Sequence, residues 1–178
     1  MVSQLEPPIL ESNRPLPHMV EGLVQVFTSP HRSFFTNVMA QALRIAGQGT
    51  PVLVVQFLKG GIRQGLEHPV QLGQHLDWFR CNLPRCVDTP ELDEAETASL
   101  LELWDYTKKA ISDSKYSLVV LDELSLAINF GLIPESEVLE LLKIRPSQID
   151  VILTGPDMPQ GILDMADQIT ELRRSRRS

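Results

Sequence analysis

Leu118-Val119-Val120-Leu121-Asp122-Glu123 runs four apolar residues, two of them β-branched, straight into two carboxylates. A strand buried on one face alternates apolar with polar residues, whereas an unbroken apolar run belongs to a strand covered on both faces, as in a parallel sheet. Leu23-Val24-Gln25-Val26-Phe27, Val52 to Leu58 and Val151-Ile152-Leu153 read the same way. Helical spacing fills the intervals. Leu100, Leu103, Trp104, Thr107 and Ile111 share one face of a helix predicted from about Asp93 to Ser112, and Val138, Leu141 and Leu142 share a face of a helix opened by Pro134. Strands alternating with helices predict an α/β fold: a mostly parallel central sheet with right-handed crossovers and helices on both faces. No internal repeat and no second domain interrupts it.

Working outward, residues 1–20 carry Pro7, Pro8, Pro15 and Pro17 and read as an extended arm, because proline fixes φ and removes a donor. Residues 21–172 form the domain and 173–178 a basic tail. The whole chain has 178 residues, with 16 Lys and Arg against 23 Asp and Glu, a net charge of −7. Setting aside Arg173, Arg174, Arg176 and Arg177, 12 basic face 23 acidic side chains, a balance of −11. An acidic body argues against general nucleic-acid binding, since phosphate neutralisation supplies most of that affinity; only the tail could contribute to it. Cys81 and Cys86 are too few for a disulfide framework or a structural zinc site. They read as two ordinary thiols in a reducing, cytoplasmic compartment. No apolar run approaches the roughly 18 residues a membrane span requires.

Ligands of open α/β sheets sit beyond the carboxyl ends of the strands. The first run ends at Phe27-Thr28, and Ser29-Pro30-His31-Arg32-Ser33-Phe34-Phe35-Thr36 leads into a helix that extends to Gly47. That is the place for a phosphate-binding loop, but such a loop needs glycines, a lysine and a Mg²⁺-binding hydroxyl, which these residues do not supply. Asp122 and Glu123 stand where a carboxylate pair would hold Mg²⁺ or orient a water, a position many purely structural strands also end on. Lys59-Gly60-Gly61 could face an anion or form an ordinary turn. Thr154-Gly155-Pro156-Asp157 could seat an anion at the following helix or simply cap it.

The stretch Val119 to Pro134, reading VVLDELSLAINFGLIP, resembles the ATP:corrinoid adenosyltransferases of the P-loop fold, whose pattern there is LDEL, then N, then A, then GLL or YLP. The resemblance continues through Glu137-Val138, Arg145-Pro146, Val151 to Gly155 and Ala166 to Leu172, and covers Val54 to Gly60. It implies a three-layer P-loop NTPase-like fold and a homodimeric, cytoplasmic enzyme. That enzyme transfers the 5′-deoxyadenosyl group of ATP to the cobalt of a reduced corrinoid, with Mg²⁺ or Mn²⁺ assisting. Laid without gaps on the family loop TGNGKGKTT, Thr28 and Thr36 match. The three glycines become Ser29, His31 and Ser33, the essential lysine becomes Phe34 and the Mg²⁺-ligating threonine becomes Phe35. The aromatic GFTW segment is replaced by something like Asn82 to Thr89, and the arginine of the TGR turn by Pro156. Losing one preorganised donor to a reacting anion costs roughly 3 kcal/mol, and here a cation and a metal ligand vanish together.

Three functions compete on these residues. The first is a non-catalytic P-loop-like binding or regulatory protein, with a protein partner or with a retained nucleotide or corrinoid. The second is an active adenosyltransferase with an altered loop, in which Thr28, Arg32, Thr36, Lys59 and Thr154 contact nucleotide and Asp122 and Glu123 hold Mg²⁺. The third is an enzyme acting on another anion, with Arg32 as cation and His31 as acid.

Overall fold

The computed structural model describes residues 20–61 and 65–175; the arm (1–19) and the end of the basic tail (176–178) lie outside the described residues. In chain order the elements are β1 Val24–Ser29, α1 Thr36–Gly47, β2 Val52–Gln56, β3 Val70–Leu72, β4 Leu76–Arg80, α2 Glu94–Ser112, β5 Leu118–Asp122, α3 Leu124–Asn129, α4 Glu135–Ile144, β6 Asp150–Pro156, α5 Gln160–Met165 and β7 Gln168–Glu171. They build one seven-stranded sheet ordered β3-β4-β2-β5-β6-β1-β7. Every pairing is parallel except β3 with β4.

The unbroken apolar runs are explained by two cores. Val52 and Val54 point to one face with Val120 and Ile152, where Val38, Ala42 and Ala46 of α1 cover them. Leu53 and Val55 point to the other face with Val119, Leu121, Val151 and Leu153, under Leu100, Leu103 and Trp104 of α2 and the helices that follow. Side chains alternate between faces at every residue, so a strand with both faces covered must be apolar throughout. β2 and β5 are accordingly buried along their whole length.

Three boundaries differ from the sequence expectation, each for a local reason. The second run stops being a strand at Gln56, because Phe57 and Leu58 turn into the α2-side core instead of pairing. Asp93 is the cap of α2 and not its first residue: its carboxylate accepts from the Glu96 amide at 2.8 Å, while Glu96 accepts from the Asp93 amide at 3.2 Å. This reciprocal box contributes about 1 kcal/mol. Pro134, extended at ψ 130°, likewise caps α4 from outside. Strands β3, β4 and β7 and helix α3 were not foreseen. β4 carries Asp77 and Arg80 among its apolar residues, and all of β7 is exposed, so neither shows an apolar run.

The two cysteines are free, Cys81 buried and Cys86 exposed. Burial pushes the Cys81 thiol up to about 11. At pH 8 only on the order of one Cys81 in a thousand is then thiolate, the form that reacts. A disulfide reagent at that pH is expected to modify Cys86 alone in the folded protein and Cys81 only after unfolding. Prompt labelling of both thiols under native conditions would show the site to be open.

Candidate functional site

The carboxyl ends of β1, β2, β4 and β5 converge on one cleft of about 380 Å³, lined by Arg32, Ser33, Phe34, Lys59, Arg80, Cys86 and Glu123. Behind Lys59 stands Asp122, the last residue of β5 and buried at 6% exposure. Its Oδ1 accepts from the Thr154 hydroxyl at 2.8 Å, and its Oδ2 accepts from Gln56 Nε2 at 2.8 Å and Lys59 Nζ at 2.7 Å. Thr154 in turn accepts from the Glu123 amide at 3.0 Å. Thr154 is wholly buried inside β6, so its hydroxyl positions the two acids from below.

Glu123 is left-handed (φ 60°, ψ 24°), a conformation that strains a non-glycine residue by about 1 kcal/mol. Its side chain explains why the conformation is held. Arg32 grips the carboxylate bidentately, Nε to Oε1 at 2.6 Å and Nη2 to Oε2 at 2.7 Å, and gives Nη1 to the Val87 carbonyl at 2.8 Å. Planar guanidinium and carboxylate match in this fork geometry, which neutral bonds cannot equal. The pair raises the Arg32 guanidinium above its ordinary value, chiefly through the hydrogen bond to Glu123. Arg32 thereby fastens the β1–α1 loop to the end of β5 and to the segment that precedes α2.

The rest of that loop is tied to itself. Ser29 and Ser33 both donate to the His31 carbonyl, at 2.5 and 3.2 Å, and Pro30 has no amide proton to offer. Thr28 donates to the Gly155 carbonyl at 2.9 Å. Phe35 turns inward at 5% exposure, joining the α1-side core as the residue before the helix. Phe34 turns outward at 62% exposure, with Lys59 Nζ 4.7 Å from its ring centre. Thr36 is the exposed first residue of α1, and among the described residues the exposed His31 takes part through its carbonyl alone.

Two glycines allow these parts to approach. A Cβ on Gly60 would stand 2.3 Å from the Arg85 carbonyl, and one on Gly155, whose φ is 138°, would stand 2.2 Å from Ser125 Oγ. The Lys59-Gly60-Gly61 turn is therefore a packing site for the segment before α2, and Lys59 rises from it toward Asp122.

The carboxylates do not fit Mg²⁺ as arranged. Every oxygen of Asp122 and Glu123 already accepts a hydrogen bond, most of them from a cation. A divalent ion would have to displace Lys59 or Arg32. Among the described residues no buried side-chain nitrogen or oxygen lacks a partner, and no group of three or more metal-binding side chains gathers. The structure thus brings Arg32, Lys59, Asp122, Glu123 and Thr154 into one network, with Thr28 and Thr36 outside it. Gln56, Trp78 and Arg80 belong to the site and were missed. One signal did exist: Gln56 is a polar residue inside the run Val54-Val55-Gln56-Phe57, and a buried amide must be partnered.

The family model described as ATP:corrinoid adenosyltransferase BtuR/CobO/CobP matches residues 20–178. Among curated relatives, a corrinoid adenosyltransferase of Escherichia coli (strain K12) is 36% identical over 152 residues, covering 85% of this chain and 76% of that protein. The corrinoid adenosyltransferase CobA of Salmonella typhimurium (strain LT2) is 33% identical over 152 residues with the same coverage. One from Pseudomonas aeruginosa is 27% identical over 161 residues, covering 85% of this chain and 74% of its own. None of the described helices is long and apolar enough to cross a membrane. The matched span takes in every element of the sheet and the cleft at its carboxyl edge, and the chain belongs to the ATP:corrinoid adenosyltransferase family.

Proposed function

We propose that this chain is a non-catalytic member of its family, a P-loop-like binding or regulatory protein that keeps the fold and has given up adenosyl transfer. The bidentate Arg32–Glu123 pair carries this reading. A family loop must leave its backbone amides and a lysine free for triphosphate, with a hydroxyl and acids free for the metal. Here the matching positions are self-bonded, buried or paired: Phe35 fills core, and Arg32 and Lys59 neutralise the two acids that Mg²⁺ would need. The same reading has the protein working in the cytoplasm as a homodimer, with another protein as its partner. Residues 21–172 are then the single functional domain.

The competing reading, an active cob(I)alamin adenosyltransferase, is favoured by one observation: relatives at 33% to 36% identity carry that name. Thermal unfolding with and without ATP and Mg²⁺ separates the two. A ligand at a hundred times its Kd stabilises the folded state by about 2.7 kcal/mol. The proposal expects no difference between ATP with Mg²⁺ and ATP without it. A rise in Tm that requires Mg²⁺ would mean that the ion pairs open for a metal nucleotide, which removes the structural ground on which the proposal rests.

A further inference from the structure

Four arginines pack near this fold's carboxyl edge or its loops, and they are used differently; Arg85 pairs through its outer nitrogens with Glu96, Asp88 and the Glu91 carbonyl. Arg32 commits Nε and both outer nitrogens. Arg145 does the same, to the carbonyls of Ile149, Leu142 and Gly22. Arg80, at the end of β4, gives only Nε, to Gln56 Oε1 at 2.8 Å. Its two outer nitrogens have no hydrogen-bond partner, and no carboxylate lies within salt-bridge distance, among the described residues. Arg32 and Arg145 close their forks on protein oxygens; Arg80 keeps its fork open where it lines the cleft and borders a second hollow of about 730 Å³ that also carries Glu67 and Glu102.

The fork is also aimed. Gln56 is 1% exposed, and its amide orientation is fixed because Asp122 can only accept: Nε2 must face Asp122, leaving Oε1 for Trp78 Nε1 at 2.9 Å and for Arg80. The guanidinium further rests 5.2 Å from the centre of the Trp78 ring. A cation held by a buried amide and an aromatic face loses little further freedom when it meets a ligand, and two parallel N–H groups match a carboxylate or phosphate edge. Charge points the same way. Arg32 is balanced by Glu123 and Lys59 by Asp122, so Arg80 leaves the cleft with one positive charge in surplus. The exposed ring of Phe34, with Lys59 Nζ 4.7 Å from its centre, adds an apolar wall to the same cleft.

We infer that Arg80 anchors a site for a small organic oxyanion, a phosphate monoester or carboxylate on a flat body that packs against Phe34, bound without a metal ion. This deepens the proposed function and rests on its claim that the acids beneath the cleft are not available to Mg²⁺. Phenyl phosphate and benzoate, in Mg²⁺-free buffer at constant ionic strength, are the probes, read by thermal unfolding and titration calorimetry. At roughly ten times its Kd a bound probe raises the wild-type Tm by about 4 °C; the stronger of the two identifies the anion class.

Arg80→Gln is expected to abolish the shift. The fold should tolerate it, because Gln56 keeps its bonds to Trp78 and Asp122. Phe34→Ala, at an exposed position, is expected to weaken binding about tenfold while leaving the unliganded Tm in place, as the lost stacking of an aromatic body would. Arg174→Gln, on the exposed tail, should bind as wild type does. No shift with either probe, or an equal shift in Arg80→Gln, would overturn the inference. A Mg²⁺-dependent response to ATP would instead overturn the proposed function, whatever these probes do.

Discussion

Asp122→Ala is expected to destabilise the protein by about 3–5 kcal/mol, the range for removing one partner of a buried ion pair. The carboxylate is 6% exposed and accepts from a buried amide, a buried hydroxyl and an ammonium group. Without it Lys59 lines the cleft with no counter-ion, and Gln56 is left with an unpaired N–H. Asp122→Asn should recover only part of the loss: its amide oxygen can still accept from Gln56 and Lys59 with its N–H groups toward the Thr154 hydroxyl oxygen, but Lys59 is left without a counter-ion. Urea unfolding is the measurement, with a lower midpoint and an unchanged slope expected. A loss below about 1 kcal/mol would mean that the acid does not organise the carboxyl edge, and that its retention has a chemical explanation after all.

Phe35→Thr, which introduces the residue type that the resemblance implies for this position, is expected to cost about 3 kcal/mol or more, as large-to-small changes of a buried phenylalanine do. Phe35 is 5% exposed and packs with Val38, Ala42 and Val120 beneath α1. The loop's departure from the family is, on this account, built into the core, so that a single reversion destroys packing without recreating a metal site. Thermal unfolding of the variant checks this. A change within about 0.5 kcal/mol would show that the phenylalanine is incidental.

How much of this was legible in the sequence follows from what each residue depends on. Doubly covered strands show themselves in sequence because both of their faces obey the same rule, which is why Leu118 to Leu121 and Val52 to Val55 sufficed to predict a parallel sheet. β7 was invisible because pairing with β1 is all that makes it a strand, and hydrogen-bonded backbone leaves no side-chain pattern. Candidate acids and cations were legible one at a time from strand ends. Their pairing was not. That Arg32 closes on Glu123, 91 positions away, depends on the left-handed turn at Glu123 and on the approach of the Val87 carbonyl. Whether Phe34 or Phe35 fills the core depends on where α1 begins, a matter of one residue that periodicity does not resolve. Arg80 escaped notice because an arginine at a strand end reads as an ordinary surface residue until the buried amide that aims it is seen.

In the proposed reading, these ion pairs and packed aromatics have replaced the reaction. Incubating the purified protein with reduced corrinoid, ATP and Mg²⁺, and following formation of the cobalt–carbon bond by the change in corrin absorbance, tests it most directly. With a family enzyme run in parallel as a positive control, no adenosylated product above the protein-free background is expected. Sustained formation of adenosylated product by the wild-type protein would contradict it.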